Sequence, residues 1–247
     1  MIRYPGSKRQ FNIASRIASR RICEPFCGMA HVTFQLLREG RVDKVWLNDL
    51  DTDIYNLWRT VRDNPDKLCD LVDNYTPKPE DFYRIKNTKT SSIIKSAFNK
   101  IVIHQISYSG LGKAAGSPIG GRQQKGKYKV GCRWRSDGLI KKIKTNGELL
   151  NSVPVKLTNV DWSFVGKGFF KYIDPPYFVR GETLYKHGKI DHILLANSLK
   201  LSNDWLLSYD ACSEIREAYS WAHIEELRKT SHLHHKSRPE LLIYPRS

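Results

Sequence analysis

The sequence predicts an α/β fold in which a mainly helical insertion interrupts a single parallel sheet. Short apolar runs alternate with amphipathic segments near both ends of the 247-residue chain, and this alternation is typical of βαβ units. Between the two ends, residues 66–106 contain three consecutive helical patterns, and a glycine-rich stretch follows them. With 40% hydrophobic and 27% charged residues, the chain has the composition of a globular protein with a sizeable core.

The first predicted βαβ pattern begins with a short strand at Arg21 to Cys23. A turn at Glu24 to Ala30 follows, and His31 to Arg38 has the amphipathic pattern of a helix. Val42 to Leu47 is the second predicted strand. Asp51 comes next, and aspartate is a common N-cap residue, so we expect it to begin another helix.

The middle of the chain predicts a run of helices rather than further strands. Three segments, Asp66 to Tyr75, Glu80 to Lys86 and Ser91 to about Ile106, show helical patterns. The glycine-rich stretch that follows contains a strand-like piece at Lys127 to Trp134. This region therefore forms an insertion in the α/β domain.

Strands and helices alternate again after about residue 153. Phe169 to Ile173 and Trp205 to Ser208 are apolar enough to be buried strands, and Asp191 to Lys200 is predicted as the helix between them. We expect these strands to lie in the same sheet as the first two.

The charge of the chain predicts a polyanionic partner. Its 41 Lys and Arg residues against 25 Asp and Glu residues give a net charge of +16. Residues 111–146 have a net charge of +9, and the first 22 residues contain no acid. A solvated basic face is the alternative interpretation, but this concentration exceeds what solubility requires, so we favour contact with nucleic acid.

Membrane and disulfide-rich proteins do not fit the sequence. No apolar run approaches the roughly 20 residues that span a bilayer, and residues 1–10 lack the apolar stretch of a signal peptide. The cysteines are odd in number and scattered, unlike a disulfide framework; they are Cys23, Cys27, Cys69, Cys132 and Cys212. We therefore expect a cytoplasmic protein with reduced thiols.

A rigid turn, Asp174-Pro175-Pro176-Tyr177, follows the predicted strand at 169–173. The two prolines contribute no backbone N–H, and Pro176 forces Pro175 into an extended conformation. The Asp174 carboxylate and the Pro175 carbonyl can each accept one N–H of an amino group on a flat heterocycle, while Tyr177 can stack on its ring. An ordinary strand-terminating turn is the alternative, because Asp and Pro are common turn residues.

The turn at 24–30 lies where open parallel sheets bind their ligands, between a strand and the next helix. Gly28 and Ala30 are small enough to let a ligand approach the backbone. About 20 residues later the second strand ends at Asn48-Asp49, which is the spacing of a carboxylate that binds ribose hydroxyls. Neither Gly-x-Gly-x-x-Gly nor a phosphate-binding loop is present, so we predict a nucleoside site without a pyrophosphate cradle.

These motifs together resemble the Dam-type family of DNA adenine N6-methyltransferases. In chain order they are Tyr4-Pro5-Gly6-Ser7-Lys8, residues 24–30, Asn48-Asp49, the basic insertion and residues 174–177. Cofactor motifs first and the catalytic motif last is the alpha-class order. The resemblance covers nearly the whole chain, down to residues 203–210, and implies a Rossmann-like S-adenosylmethionine-dependent methyltransferase sheet with a mainly helical target-recognition insertion.

The resemblance also implies roles for individual residues. The implied cofactor-binding residues are Tyr4, Gly6, Lys8, Glu24, Pro25, Phe26, Gly28, Asp49 and Asp174. The implied catalytic residues are Asp174, Pro175, Pro176 and Tyr177. Ala30 departs from the family pattern, which often has glycine there. The implied reaction is direct methyl transfer to an adenine that has flipped out of the double helix, with no metal.

The implied domains are a catalytic domain of residues 1–62 and 152–247 and an inserted target-recognition domain of residues 63–151. Our candidates for contact with double-stranded DNA are Tyr108, Lys113, Arg122, Gln123, Gln124, Lys125, Lys127 and Arg133. Among them, our candidates for base reading are Arg122, Gln123, Gln124 and Lys125, because arginine suits guanine and glutamine suits adenine in the major groove. Tyr108 has two interpretations, insertion beside the flipped base or packing in the core.

Other interpretations of the sequence are weaker. Cys23, Cys27 and His31 have metal-like spacing but flank the cofactor turn, and the histidines at 232, 234 and 235 are interpreted as a solvated tail, so we predict no metal. An N4-cytosine methyltransferase and a non-catalytic DNA-binding module with this fold remain alternatives. We expect a monomer of bacterial or phage origin.

Overall fold

The structure is a computed structural model that describes residues 2, 11–178, 190–227 and 239–246. The chain divides into two compact units. The helical unit contains Asp49–Asn159 together with Ile2, and the sheet unit contains the described residues of Lys8–Asn48 and Val160–Ser247.

The regular elements alternate at both ends of the chain and are helical in the middle. In chain order, the described strands are β1 (Arg21–Glu24), β2 (Lys44–Asn48), β3 (Val155–Thr158), β4 (Phe170–Ile173), β5 (Trp205–Asp210), β6 (His223–Leu227) and β7 (Glu240–Tyr244). The described α-helices are α1 (His31–Arg38), α2 (Thr52–Asp63), α3 (Pro65–Asp73), α4 (Pro79–Asn87), α5 (Ile93–Ile106), α6 (Ser136–Asn151), α7 (His192–Leu199) and α8 (Ser213–Ala218). The predicted α/β class is therefore confirmed.

Within the sheet unit, the described strands lie side by side in the order β2-β1-β4-β5-β7-β6. Strands β2, β1, β4 and β5 are parallel, whereas β7 runs antiparallel between β5 and β6. Every residue of β5 is buried, as expected for a central strand covered on both faces. Trp205, Leu207 and Tyr209 of this strand pack in one core cluster with Leu195 of α7 and Ile243 of β7.

The first βαβ pattern was predicted closely. Helix α1 has the predicted bounds, and β1 extends one residue past the prediction, to Glu24. Strand β2 begins at Lys44 rather than at Val42, because its pairing with β1 starts at Lys44, opposite Arg21.

The predicted helices of the helical unit are also present. Asp51 caps α2, and its side chain accepts a hydrogen bond of 3.0 Å from the amide of Asp53. Helices α3 and α4 each begin with proline at the first position, where its missing N–H has no intrahelical partner to lose. Ser92 caps α5, which is buried along most of its length.

One expectation for the insertion was wrong, and one helix was not predicted. Residues 127–134 form turns instead of a strand, since their backbone bonds are local, as in Cys132 N to the Lys129 carbonyl at 3.0 Å. Helix α6 was not predicted, because Gly138 and Gly147 interrupt its apolar pattern. Its buried side includes Leu139 and packs against α2 and α3.

Within the described residues, the structure shows neither a membrane-spanning helix nor a disulfide. No helix in this part of the chain is long and apolar enough to cross a membrane. The cysteines, which all lie in described segments, form no disulfide there.

Candidate active site

The sheet reverses its strand order between β1 and β4, which is where open α/β sheets bind their ligands. The chain passes from β1 through α1 to β2 on one side of β1, whereas β4 lies on the other side. Strands β1 and β4 are parallel, with Ile22 opposite Phe170, so their carboxyl ends open onto the same edge. The predicted cofactor loop at 25–30 and the predicted catalytic turn at 174–177 therefore lie at one edge of the sheet.

Glu24, the last residue of β1, is a buried carboxyl group at this edge. Its Oε1 accepts hydrogen bonds from the amide of Thr33 at 2.8 Å and from the hydroxyl of Thr33 at 2.6 Å. Burial raises the pKa of Glu24 from 4.5 to about 8, and the nearby charge of Asp174 adds to the increase, while the Thr33 bonds oppose it. Glu24 is therefore protonated near neutral pH.

The loop at 25–30 has a fixed and strained backbone. The amide of Cys27 donates to the Asn48 carbonyl at 2.8 Å, and the side chain of Asn48 donates back to the Pro25 carbonyl at 2.9 Å. Gly28 and Ala30 both have positive φ, 43° and 47°. For Ala30 this left-handed conformation costs roughly 1–2 kcal/mol, which explains why glycine suits this position. Such strain is typical of ligand-binding loops.

A cavity of about 150 Å³ lies beside this loop and is lined mainly by apolar side chains. Pro25 and Phe26 of the loop contribute to it, together with Trp162, Val165 and Leu195. The rings of Phe26 and Trp162 are 6.3 Å apart, centre to centre, with their planes 32° apart. Aromatic side chains around an apolar slot fit a flat heterocycle such as the adenine of the expected cofactor. The small, strained loop and the Glu24 carboxyl also fit a cofactor that carries an amine and a sulfonium.

Asp174 is held from the neighbouring strand. The hydroxyl of Ser208, in β5, donates a hydrogen bond of 2.9 Å to Oδ1 of Asp174. The Tyr172 hydroxyl lies 2.9 Å from Ser208 Oγ, and both Tyr172 and Ser208 are buried. The carboxylate is therefore oriented by groups inside the sheet.

The other end of the turn is also anchored. The Tyr177 hydroxyl donates to Oε1 of Glu240 at 3.1 Å, and the amide of Phe178 donates to Oδ1 of Asp210 at 3.1 Å. Asp210 and Glu240 are register partners on β5 and β7. Pro175 is buried and Tyr177 is half-buried, so the turn is part of the packed edge rather than a free loop.

Asp49, the predicted ribose acid, belongs to the helical unit. Its Oδ1 accepts a hydrogen bond of 2.9 Å from the amide of Asp51, and its own amide donates to the Thr158 carbonyl at 3.3 Å. Asn159 donates to the Asp49 carbonyl at 2.7 Å. The other predicted cofactor residues Tyr4, Gly6 and Lys8 lie outside the described residues.

The loop after α5 contains most of the predicted DNA-binding residues. Arg122, Gln123, Lys125 and Lys127 are all exposed. The Arg122 guanidinium lies over the ring of Tyr83, 5.3 Å from its centre. Among the described residues, none of these three basic side chains is in an ion pair. Their charges are therefore available to a phosphate backbone.

Gln124 is occupied within the loop. Its Nε2 donates to the carbonyls of Ile119 and Gly121, at 2.8 and 2.6 Å, and its Oε1 accepts from the amide of Val130 at 2.7 Å. Bidentate reading of adenine needs one donor and one acceptor from the glutamine. Because both N–H groups are used, the structure gives Gln124 a role in holding the loop together.

The remaining predicted DNA contacts differ from one another. Tyr108 is 64% exposed, so its alternative interpretation as a core residue is wrong. Lys113 forms an ion pair of 2.9 Å with Asp53, which neutralises part of its charge. Arg133 is half-buried, and its Nη1 atom is buried without a hydrogen-bond partner in the described residues.

The candidate metal ligands do not form a site in the described part of the chain. No group of three or more His, Cys, Asp or Glu side chains there is arranged to hold a metal ion. Cys23 and Cys27 are buried. The histidines at 232, 234 and 235 lie outside the described residues.

Sequence reasoning missed four residues at the sheet edge, namely Thr33, Trp162, Ser208 and Glu240. Two of them had a visible signal: Ser208 is a polar residue inside an apolar strand, and Glu240 is a charge directly before the apolar run 241–243. Buried polar groups need partners, so each of these positions could have indicated a polar contact. The identity of that partner was not in the local sequence.

Comparison with known proteins gives a consistent result. The model of the family described as D12 class N6 adenine-specific DNA methyltransferase matches residues 4–233. A type II methyltransferase of Lactococcus lactis subsp. cremoris, M1.LlaDCHI, is 24% identical over 175 residues, which are 65% of this chain and 57% of that protein. The type II methyltransferase M.MjaIII of Methanocaldococcus jannaschii is 23% identical over 177 residues, 64% of this chain and 58% of that protein. The chain thus spans less than two thirds of the length of these curated relatives.

Proposed function

The chain belongs to the D12 class of N6 adenine-specific DNA methyltransferases, and on this premise we propose that it transfers a methyl group from S-adenosylmethionine to the N6 amino group of adenine in a specific double-stranded DNA sequence. The observation that carries the proposal is the meeting of an anchored Asp-Pro-Pro-Tyr turn with a strained, small-residue loop at one edge of a parallel sheet. Neither feature alone specifies a reaction. Together they supply an acceptor for an amine and a site for a cofactor.

The Asp-Pro-Pro-Tyr turn increases the weak nucleophilicity of the target amine. The lone pair of the adenine amino group is delocalised into the ring, which makes the nitrogen a poor nucleophile. Hydrogen bonds from the amino group to the Asp174 carboxylate and the Pro175 carbonyl favour a pyramidal nitrogen with a localised lone pair. S-adenosylmethionine would supply a methyl group on a sulfonium, whose carbon–sulfur bond would break as the carbon–nitrogen bond forms, so that a neutral thioether leaves and the amino nitrogen releases one of its two protons. The acceleration therefore comes from positioning and from preorganised acceptors.

Tyr177 completes the binding of the target base. An adenine within a duplex cannot reach the sheet edge, so the base must leave the helix. The half-buried ring of Tyr177 then offers a face on which the extruded adenine stacks, and the bond to Glu240 keeps that ring in place. Stacking on an aromatic ring is favourable for any base, so the two acceptors at Asp174 and Pro175 select for a base with an exocyclic amino group. The choice of adenine over cytosine rests on the family.

The cofactor is assigned to the loop and its surroundings. We propose that Glu24, Pro25, Phe26 and Gly28 contact S-adenosylmethionine, that Asp49 binds its ribose, and that the N-terminal residues assigned by the resemblance complete the site; those residues are Tyr4, Gly6 and Lys8. The carboxyl of Glu24 suits a cationic ligand, because a nearby positive charge favours its ionised form. The slot beside Phe26 suits the adenine of the cofactor.

Recognition of DNA is assigned to the insertion. We propose that the chain has two functional domains. The catalytic domain consists of residues 1–62 and 152–247, and the recognition domain consists of residues 63–151. Within the insertion we assign base reading to Arg122 and Gln123, whose side chains are exposed. We reassign Lys125 from base reading to phosphate contact, together with Lys127, because an exposed lysine binds phosphate as a point charge. Tyr108 is assigned to the space left by the flipped base.

We further propose a cytoplasmic monomer of bacterial or phage origin that belongs to, or derives from, a type II restriction-modification system.

A nucleoside assay tests the proposal. The protein is incubated with labelled S-adenosylmethionine and unmethylated DNA, and the DNA is digested and its labelled nucleoside identified. We expect labelled N6-methyladenine. Labelled 4-methylcytosine would select the rival chemistry, and DNA binding without any transfer would identify a non-catalytic DNA-binding module.

A further inference from the structure

A hydrogen-bonded chain of two hydroxyl groups inside the sheet leads to Asp174. It consists of Tyr172 in β4, Ser208 in β5 and the Asp174 carboxylate, joined by two contacts of 2.9 Å. Strands β4 and β5 pair directly, with Tyr172 opposite Leu206, so the chain of hydroxyls crosses from one central strand to the next.

The direction of this chain follows from its donors and acceptors. An ionised carboxylate only accepts, so the single hydroxyl proton of Ser208 is used toward Asp174. The contact between the two hydroxyls must then have Tyr172 as its donor. Burial raises the pKa of Tyr172 well above its usual 10, and the charges of Asp174, Glu24 and Glu240 add to the increase, while the hydrogen bond with Ser208 opposes it. Tyr172 therefore keeps its proton throughout the neutral range.

The hydroxyls of Tyr172 and Ser208 are both buried, and a buried hydroxyl is unfavourable unless it has a hydrogen-bond partner. Tyr172 is 3% exposed and Ser208 is 1% exposed. An apolar residue would pack in either position without the requirement for a partner, as Leu206 and Leu207 do in the same strand. A carboxylate bound through Oδ1 has a fixed rotation about its terminal torsion, so its second oxygen has a defined position before the substrate arrives.

We propose that Ser208, supported by Tyr172, is a positioning residue that orients the Asp174 carboxylate toward the target amine. This inference rests on the proposed function. It assigns no contact with substrate or cofactor to either residue: Ser208 acts through Asp174, and Tyr172 acts through Ser208.

Substitutions of Ser208 and Tyr172 should lower kcat by different factors. Ser208→Ala removes a hydrogen bond to a charged group, so we expect kcat to fall roughly 10- to 100-fold. Tyr172→Phe removes a bond between neutral hydroxyls and leaves Ser208 able to donate, so we expect a fall of roughly 3- to 10-fold. In both variants KM for DNA and KM for S-adenosylmethionine should stay within about twofold of wild type, since neither residue contacts a substrate.

The chain offers a matched control for each variant. Tyr219 is fully buried, and its hydroxyl has no hydrogen-bond partner in the described residues, so Tyr219→Phe removes a buried hydroxyl that orients no other group. Ser213 is exposed in the same unit and donates only to its neighbour Glu214. Tyr219→Phe and Ser213→Ala should both keep the wild-type kcat.

The experiment measures steady-state methyl transfer for wild type, the two variants, the two controls and the double variant Ser208→Ala/Tyr172→Phe, each checked for folding by its thermal unfolding. We expect the double variant to equal Ser208→Ala, because Tyr172 acts only through Ser208. A Ser208→Ala protein with kcat within twofold of wild type would overturn the inference, as would a loss expressed in KM alone. If Ser208→Ala does not fold, the test is Tyr172→Phe: a kcat equal to that of Tyr219→Phe would contradict the positioning role. An inactive wild-type protein would instead refute the proposed function and this inference with it.

Discussion

The hydroxyl of Tyr177 donates a hydrogen bond of 3.1 Å to the carboxyl of Glu240, which lies 63 residues away in the sequence at the start of β7. The contact connects the last residue of the Asp-Pro-Pro-Tyr turn to a strand that runs antiparallel to β5. A tyrosine ring held at its far end has a defined orientation. The stacking surface that we propose for the target base is therefore built into the sheet edge.

This contact separates two contributions of Tyr177. Tyr177→Phe keeps the ring and loses the hydroxyl with its bond to Glu240, so we expect kcat to fall roughly 2- to 10-fold. Tyr177→Ala also removes the stacking surface, and stacking contributes about 1–3 kcal/mol per base, so a further loss of roughly 5- to 100-fold is expected. Single-turnover methyl transfer measures both. Equal rates for the two variants would show that the ring has no stacking role.

The buried Glu24 carboxyl makes stability depend on pH. The unfolded chain releases this proton near pH 4.5, whereas the folded protein keeps it up to about pH 8. Between these values the folded state binds more protons than the unfolded state, so the contribution of Glu24 to stability falls as pH rises. We expect Glu24→Gln to remove this loss of stability at high pH. The difference in unfolding temperature between Glu24→Gln and wild type should therefore favour the variant more strongly at pH 8 than at pH 5.

The control for this measurement is Glu217→Gln, an exposed carboxyl in the same unit. Its stability difference from wild type should change less between pH 5 and pH 8 than that of Glu24→Gln, because its side chain is exposed to solvent. If Glu24→Gln and Glu217→Gln showed the same pH dependence, Glu24 would be ionised in the folded protein.

The basic loop allows phosphate contact to be distinguished from base reading. Lys125→Ala should weaken binding to all DNA sequences alike and reduce the slope of log K against log salt concentration by about one. Arg122→Ala should also relax the preference for the target sequence by roughly 1–3 kcal/mol. Binding titrations at several salt concentrations, with target and scrambled duplexes, measure both effects.

Arg84→Ala is a suitable control in the same unit, because Arg84 is already paired with Asp81 at 2.7 Å. It should leave the salt slope and the sequence preference unchanged. A Lys125→Ala protein with the wild-type slope would contradict the assignment of this loop to DNA.

Two glycines of α6 predict opposite effects on stability. A Cβ at Gly147 would lie 2.7 Å from the Val61 carbonyl oxygen, whereas at Gly138 the nearest atom would be 3.9 Å away. Gly147→Ala should therefore destabilise the protein by about 1–3 kcal/mol through overpacking of α6 against α2. Gly138→Ala should stabilise it by about 0.5–1 kcal/mol through helix propensity. Urea unfolding measures both, and equal effects would contradict the close approach of these helices.

Local sequence patterns predicted the elements whose signals are local. Helix α1 has the predicted bounds, Asp51 caps α2 as expected, and the turn at 174–177 ends a strand. Helix α6 was missed because Gly147 serves a tertiary purpose, close approach to α2, and this purpose weakens the apolar periodicity. Residues 127–134 alternate like a strand, but Gln124 and local backbone bonds hold them in turns.

The site could be predicted only as far as its local motifs. Asp174 and Tyr177 were identified from a four-residue turn, but their partners Ser208 and Glu240 are 34 and 63 residues away. Sheet pairing brings these residues together, and no local pattern encodes which strands pair. The raised pKa of Glu24 has the same origin, because it results from burial at the end of a strand that only the assembled sheet covers.

The central claim is site-specific methylation of adenine by the Asp174 turn, and sequencing of modified DNA tests it most directly. Wild type and Asp174→Ala are each expressed in a host without DNA methylation, and the genomic DNA is read by a method that distinguishes N6-methyladenine from 4-methylcytosine. We predict N6-methyladenine at nearly every copy of one short sequence with the wild type, and none with Asp174→Ala. Modified cytosine, unmodified DNA from the wild type, or full methylation by Asp174→Ala would contradict the claim.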